Sequence, residues 1–120
     1  MPENHKTNSD DPVLVYATFP SPDEAERVGG VLVDRGLAAC VNILPGMTSI
    51  YVWQGARHRD SEAVMIIKTR AALADEVVAE AKRLHPYDNP ALVVIPVTGG
   101  SVDFCRWIAG QTAAPVRGGA

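Results

Sequence analysis

The chain has 120 residues, a length typical of a single domain with one hydrophobic core. Apolar residues make up 47% of it and charged residues 21%, which excludes a wholly disordered protein. The formal net charge is −3, from 11 basic and 14 acidic residues. Nucleic-acid binding needs clustered basic residues, and the densest basic stretches here have acidic neighbours. We therefore expect no nucleic-acid partner.

The sequence also gives no sign of a membrane segment. Its longest apolar runs are five residues, whereas a membrane-spanning helix needs about twenty. The first 12 residues are polar and lack the apolar core of a signal peptide. The two cysteines, Cys40 and Cys105, match neither a disulfide framework nor a CxxC motif. We expect a soluble, cytoplasmic protein with no membrane partner.

Composition divides the chain into three parts. Residues 1–12 are polar and predict a disordered leader, and residues 113–120 predict a flexible tail. Residues 13–112 are dense and periodic, and they predict one domain. The elements predicted there in chain order are a strand at 13–19, a helix at 21–36, strands at 37–44 and 48–55, a polar turn at 55–60, a strand at 62–70, a helix at 71–84, a strand at 90–97 and a helix at 101–111.

The first helix carries clear end signals and one irregularity. Ser21 and Pro22 are typical of a capped helix start, and Gly36 is typical of an end in the left-handed conformation. Gly29 and Gly30 disfavour the helix interior by about 1 kcal/mol each. We interpret the pair as a site of close packing, with Gly29 on the same face as the apolar residues.

The order strand–helix–strand, repeated once, predicts two βαβ units in one antiparallel sheet with both helices on one face. This is an α+β ferredoxin-like βαββαβ sandwich with a short C-terminal helix. Residues 13–19 and 63–67 are apolar on both sides of their strands. The sheet face without helices must therefore be buried, and a partner subunit is the simplest cover.

Two residues could carry metal or thiol chemistry. Cys40, in a predicted strand, is either a small buried hydrophobe, a soft metal ligand or a nucleophile that needs a nearby base. His85 ends the second helix, where a cation favourably meets the helix dipole. It also opens the stiff segment HPYDNP at 85–90, which presents an imidazole, the Tyr87 phenol and the Asp88 carboxylate. Such rigid presentation suits a binding site.

Other polar and aromatic residues lie on predicted strands. Glu62 and Lys68 are six residues apart on one strand and point to the same face, where either could be solvated or paired across strands. Tyr51 and Trp53 alternate on one face of their strand. Large aromatic side chains on a hairpin are typical of a contact with another subunit.

Several motifs occur together in a fixed order. They are AACVNILPGMTSIYVWQG at 38–55, Glu62, Lys68-Thr69, LHPYDNP at 84–90, and IPVTGG at 95–100 followed by Trp107. This pattern resembles the CutA family of divalent-cation tolerance proteins. The resemblance covers residues 13–112, nearly the whole predicted domain.

The resemblance implies a homotrimer with an extended β-hairpin reaching between subunits and an architecture like that of PII signalling proteins. It also implies tolerance of copper and other divalent cations, no organic cofactor and no enzymatic activity. Cys40 and His85 fall on the positions proposed to hold copper. Asp88 stands where the family usually has Glu, and its shorter side chain places the carboxylate closer to the backbone.

Three functions stay open at this point. The first is a trimeric, metal-responsive binding protein, and the second is a PII-like sensor of a small ligand in clefts between subunits. The third is a thiol enzyme that uses Cys40, His85 and Asp88. The candidate cleft or ligand residues are Tyr51, Trp53, Glu62, Lys68, Tyr87 and Asp88.

Overall fold

The computed structural model describes residues 8–113. Its elements in chain order are β1 (Pro12–Phe19), α1 (Pro22–Asp34), β2 (Cys40–Trp53), β3 (Ala56–Arg70), a 3₁₀ turn (Ala71–Leu73), α2 (Ala74–Leu84), β4 (Leu92–Pro96) and α3 (Val102–Gln111). The four strands form one antiparallel sheet in the order β2-β3-β1-β4. The predicted ferredoxin-like α+β fold is therefore confirmed.

The hydrophobic core lies between the sheet and helices α1 and α2. Alternate residues of β1 face it, and Val15, Ala17 and Phe19 are fully buried there. Their helix partners in the core are Ala25, Val28 and Leu32 of α1 and Val77 and Ala81 of α2. Because successive side chains of a strand point to opposite faces, the intervening residues of β1 lie on the other side of the sheet.

Helix α1 begins and ends as predicted. The Ser21 hydroxyl accepts the backbone N–H of Glu24 at 3.2 Å, and Pro22 is the first helical residue. Gly36 has a φ of +72°, which permits a Schellman ending. The N–H groups of Gly36 and Leu37 then donate back to carbonyls of the last turn, at 3.0 and 2.9 Å. These local contacts fix both ends of the helix that covers the core.

The β2–β3 hairpin differs from its predicted form. The turn consists of Gln54 and Gly55, with φ angles of +50° and +81°, and β3 begins at Ala56. Residues 56–60, predicted as part of a turn, instead pair with residues 49–53 of β2. The turn prediction was wrong, because polar composition is not specific to turns. In this part of the hairpin nearly all side chains are exposed, so polar residues are compatible with a strand.

Strand β2 contains a bulge at Pro45 and Gly46, and it runs continuously through the gap between the two strands predicted at 37–44 and 48–55. Leu44 pairs with Val64 and Met47 pairs with Glu62, so between these pairs β2 advances by three residues and β3 by only two. Strand β2 therefore has one extra residue. Gly46 has a φ of +74°, a backbone conformation that favours glycine. The extra residue reverses the alternation of side chains along β2. Tyr51 and Trp53 consequently lie on the same face as Glu62 of β3.

Helix α3 covers one end of the sheet face opposite α1 and α2. The Lys68 Nζ lies 5.3 Å from the ring centroid of Phe104, and Arg70 Nε donates to the Thr112 hydroxyl at 3.0 Å. This corrects the expectation that helices cover only one face. The rest of this surface, called the open face below, consists of Leu14, Tyr16, Leu44, Val64, Ile66, Val93 and Ile95. Of these, Leu44, Val93 and Ile95 are 50%, 54% and 44% exposed.

Parts of the predicted leader and tail take part in the fold. The Asp11 carbonyl accepts the N–H of Ala71 at 2.8 Å, and Asp10 forms an ion pair with Arg70 at 3.4 Å. The N–H of Ala113 donates to the Gly36 carbonyl at 2.7 Å. Residues 1–7 and 114–120 lie outside the described residues. In the described part of the chain, no helix combines the length and apolar character that crossing a membrane requires.

Gly29 and Gly30 form a matched pair that tests how closely α1 packs on the sheet. A Cβ atom at Gly29 would lie 2.8 Å from Met65 Sδ and 2.9 Å from Val41 Cγ2, whereas one at Gly30 meets no described atom within 4 Å. We expect Gly30→Ala to raise the free energy of unfolding by up to about 1 kcal/mol. Gly29→Ala should lower it by about 1–3 kcal/mol, because overpacking outweighs the gain in helix propensity. Denaturant unfolding measures both, and a more stable Gly29→Ala variant would contradict the close packing.

Candidate functional site

A cavity of about 750 Å³ lies between the β2–β3 hairpin and the segment that joins α2 to β4. We call this cavity the cleft. Its lining residues are Thr18, Tyr51, Trp53, Asp60, Glu62, Pro86, Tyr87, Asp88, Asn89 and Ala91. The volume lies within the range of cavities that bind small molecules in proteins.

The hairpin forms one wall of the cleft. Tyr51 and Trp53 project from β2 on the face that the bulge gives them, and both are exposed. The Tyr51 hydroxyl donates a hydrogen bond to the carboxylate of Asp60, and its ring stacks on His58 at 5.4 Å between centroids. The hydrogen bond to Asp60 is the main cause of a raised pKa of Tyr51. The phenol therefore stays protonated and acts as a donor in this wall.

His85 anchors the other wall, the segment 85–91. Its Nδ1 accepts the backbone N–H of Tyr87 at 3.1 Å, so the ring proton is on Nε2, which donates to the Thr18 carbonyl at 2.7 Å. The ring stacks on Phe19 at 4.3 Å and is 8% exposed. Burial lowers the pKa of His85 and outweighs the hydrogen bond to Thr18, which acts in the opposite direction. A neutral imidazole thus holds the segment against β1.

Tyr87 joins the two walls. Its hydroxyl donates to Glu62 Oε2 at 2.9 Å, and its ring lies 4.9 Å from that of His85. Burial, followed by the hydrogen bond to Glu62, raises the pKa of Tyr87 to about 12. The hydroxyl therefore remains a donor at neutral pH and ties the segment to β3.

The lining of the cleft is acidic and aromatic. Three carboxyl side chains, those of Asp60, Glu62 and Asp88, line it, and the described lining residues include no lysine, arginine or histidine. The remaining polar side chains are neutral and comprise hydroxyls, the Trp53 indole and the Asn89 amide. This arrangement favours a cationic ligand over an anionic one.

Five of the six residues proposed as cleft ligands line this cavity, namely Tyr51, Trp53, Glu62, Tyr87 and Asp88. Lys68 lies six residues along β3 from Glu62, beneath the ring of Phe104. The hairpin, the bulge and the His85 anchor bring the five together. A ligand role for each of the six stays a prediction.

Within one chain the structure does not bring Cys40 and His85 together. Cys40 pairs with Lys68 of β3, whereas His85 bonds to Thr18, whose β3 partner is Val64. Four residues of strand separate those positions by roughly 13 Å. Both ring nitrogens of His85 are already hydrogen-bonded, and among the described residues no three His, Cys, Asp or Glu side chains are grouped to hold a metal. A shared copper site within one chain does not fit, and the metal role of each residue stays a prediction.

Sequence reasoning missed two contributors to the cleft. Asp60 fell within the turn predicted at 55–60, although its two-residue spacing from Glu62 would have placed both on one face of a longer strand. Thr18 contributes its backbone carbonyl to His85. A backbone contribution of this kind leaves no signal in the residue type.

His85 is expected to make stability depend on pH. Because its pKa is lowered in the folded chain, the unfolded chain binds a proton more readily. The stabilisation from the neutral imidazole is complete above the ordinary histidine pKa of about 6.5 and is lost as the pH falls towards the lowered value. Urea unfolding between pH 8 and pH 5 should show the free energy of unfolding falling in the wild type and in the control His58→Gln. The fall should be smaller in His85→Gln, and an equal fall in all three would contradict this assignment.

Sequence comparison with known proteins supports the resemblance to the CutA family. The family model described as CutA1 divalent ion tolerance protein matches residues 13–111. The chain is 38% identical to Protein CutA 1, chloroplastic, of Oryza sativa over 100 residues, which are 83% of this chain and 56% of that protein. It is also 38% identical to the divalent-cation tolerance protein CutA of Thermus thermophilus over 99 residues, 82% of this chain and 96% of that protein. The chain thus spans little more than half of the rice protein.

Comparison of the fold leads to the same family. The crystal structure of divalent ion tolerance protein CutA1 from Ehrlichia chaffeensis matches with a TM-score of 0.83 at 34% identity, over 86% of this chain and 96% of that one. The resemblance found in the motifs at 38–55 and 84–90 is confirmed by these matches. The chain belongs to the CutA1 divalent ion tolerance protein family.

Proposed function

We propose that the protein acts in tolerance of divalent cations, as a binding protein and not as an enzyme. One observation carries the proposal. The family match spans residues 13–111, and relatives matched over nearly their whole length, such as that of Thermus thermophilus, are named divalent-cation tolerance proteins. These names do not favour the alternative of a PII-like sensor.

The geometry supports binding over thiol catalysis. A thiol nucleophile needs a base within hydrogen-bond reach. Cys40 pairs with Lys68 near the end of β3, whereas His85 lies against Thr18, which pairs with Val64 in the middle of β3. Asp88 belongs to the same segment as His85 and lines the cleft. Within one chain, Cys40 is therefore remote from the other two residues of the thiol-enzyme alternative.

We also propose a homotrimer, the assembly that the family resemblance implies. Its support in this chain is exposed apolar surface in two places. The first is the open face, and the second is the hairpin, where Ile50, Val52 and Trp53 are exposed. Contiguous apolar surface of this kind marks protein interfaces. Copies that cover it would bury both.

Light scattering tests the assembly. We expect a particle of about 38 kDa, three times the 12.8 kDa of one chain. Trp53→Ala should weaken assembly by about 2 kcal/mol or more, because large aromatic side chains carry much of the energy of an interface. Val33→Ala, an exposed apolar residue of α1, is the matched control and should leave assembly unchanged. A folded monomer of the wild type at micromolar concentration would contradict the trimer.

For the cation itself, we propose Cys40 as a soft ligand for copper. The thiol is unpaired and half-buried at the start of β2. Thiolates favour copper over magnesium or calcium. His85 does not fit the same site in one chain, since a metal would have to displace its bond to Thr18 or to the Tyr87 N–H. We assign it instead to holding the cleft wall.

We also propose a cytoplasmic location, from the state of the two cysteines. Cys40 and Cys105 are both unpaired, as is usual for proteins of reducing compartments. The composition argues for neither a nucleic-acid nor a membrane partner. Fractionation of the native cell would test the location directly.

Anaerobic calorimetric titration with Cu²⁺, redox-inert Zn²⁺ and Mg²⁺ tests the copper proposal. Copper should bind more tightly than magnesium, and its affinity should fall between about pH 8 and pH 5 because a thiol must lose its proton to bind a metal. Cys40→Ser should weaken copper binding by about tenfold or more. Cys105→Ser is the matched control and should have no effect. Unchanged copper affinity in Cys40→Ser, or an equal loss in His85→Gln, would contradict the assignment.

A further inference from the structure

The charged side chains that line the cleft all have one sign. Its acidic side chains are Asp60, Glu62 and Asp88, and the described lining includes no basic residue to balance them. From this cavity and its aromatic walls, we propose that the cleft binds a small organic cation, an alkylamine or a guanidine. The proposal goes beyond the divalent-cation function and does not depend on Cys40.

Aromatic side chains supply the second half of the site. Tyr51 and Tyr87 line the cleft and are 42% and 38% exposed. The face of an aromatic ring attracts an ammonium or guanidinium group. Trp53 also lines the cleft in one chain, but its exposed surface belongs to the proposed trimer contact. Aromatic faces beside carboxylates match both parts of an organic cation, its charge and its apolar chain.

A bare metal ion fits this lining less well. A metal ion needs several oxygen ligands within about 2.0–2.6 Å of one point. Asp60 and Glu62 are two residues apart on one strand, a spacing of roughly 7 Å, and each accepts a hydrogen bond from a different tyrosine. Among the described residues these carboxylates do not group into a metal site. A diamine can engage two separate carboxylates, one with each end.

The carboxylates keep the capacity to bind N–H donors. A carboxylate has about four acceptor positions. The Tyr51 hydroxyl occupies one position on Asp60, and the Tyr87 hydroxyl occupies one on Glu62. The same hydrogen bonds hold the acidic side chains in place before a ligand arrives. The volume of about 750 Å³ accommodates a molecule and not merely an ion.

Calorimetric titration of the full chain, in its native assembly and with excess EDTA, tests the proposal. The probe is cadaverine, a linear diamine, and 1,5-pentanediol is its neutral match. Cadaverine should bind with a Kd below about 1 mM, and added salt should weaken the binding by screening. The diol should not bind. Equal binding of the two probes, or no binding of cadaverine, would overturn the proposal.

Isosteric variants locate the binding. Glu62→Gln and Asp60→Asn keep an acceptor for the tyrosine hydroxyl but remove the charge, and each should weaken cadaverine binding about tenfold or more. Asp34→Asn, at the exposed end of α1, should bind like the wild type. Thermal unfolding verifies that all three variants fold. If Glu62→Gln and Asp60→Asn weakened cadaverine binding only as much as Asp34→Asn does, net charge and not the cleft would attract the amine, and the proposal would be overturned.

Because EDTA removes metal ions, the cadaverine titration is independent of the copper titration. Loss of copper binding in Cys40→Ser with retained cadaverine binding would support both proposals. Cadaverine binding without any copper site would support the cleft proposal alone. Copper binding with no cadaverine binding would overturn it and leave the cation-tolerance function standing.

Discussion

The single extra residue in β2, at Pro45 and Gly46, is the constraint on which the cleft depends. A shift of one residue moves every following side chain of a strand to the other face. Without the bulge, Ile50 and Val52 would face Glu62, and Tyr51 and Trp53 would point away from it. A backbone irregularity thus decides which chemistry the hairpin presents, while the positive φ of Gly46 makes that irregularity accessible to the chain.

The opposite wall of the cleft, the segment 85–91, depends on the side chain of His85 and not on a backbone irregularity. The His85 imidazole joins the Thr18 carbonyl to the Tyr87 N–H, and it is neutral because burial opposes its charge. Tyr87 then reaches Glu62 and closes the wall onto β3. An imidazole with both nitrogens engaged is suited to holding a loop, and a metal bound to His85 would have to displace one of its two hydrogen bonds. Within one chain, the motif HPYDNP forms a wall of the cleft.

The fold could be predicted because its signals are local. Ser21 and Gly36 bound α1, and the apolar period of each segment identifies its buried face. The cleft required information of another kind. The strand at 56–60 is polar on both sides because it lies beyond the core, so its pattern resembles a turn. The separation of Cys40 from His85 follows from strand register, since Cys40 pairs with Lys68 of β3 whereas His85 lies against Thr18, whose β3 partner is Val64. Residue type and the family resemblance identify Tyr51, Trp53, Glu62 and Tyr87 as candidates, but their contacts with one another depend on the bulge and on the His85 anchor.

One face of strand β3 contributes to three different surfaces of the molecule. Its even-numbered residues are acidic at Asp60 and Glu62, apolar at Val64 and Ile66, and basic from Lys68 onwards. The acidic part lines the cleft, the apolar part belongs to the open face, and the basic part contacts α3. Because Glu62 and Val64 are roughly 7 Å apart along the strand, whatever covers the open face lies directly beside the cleft. Assembly and ligand binding are therefore expected to influence each other through β3, whichever cation the cleft accepts.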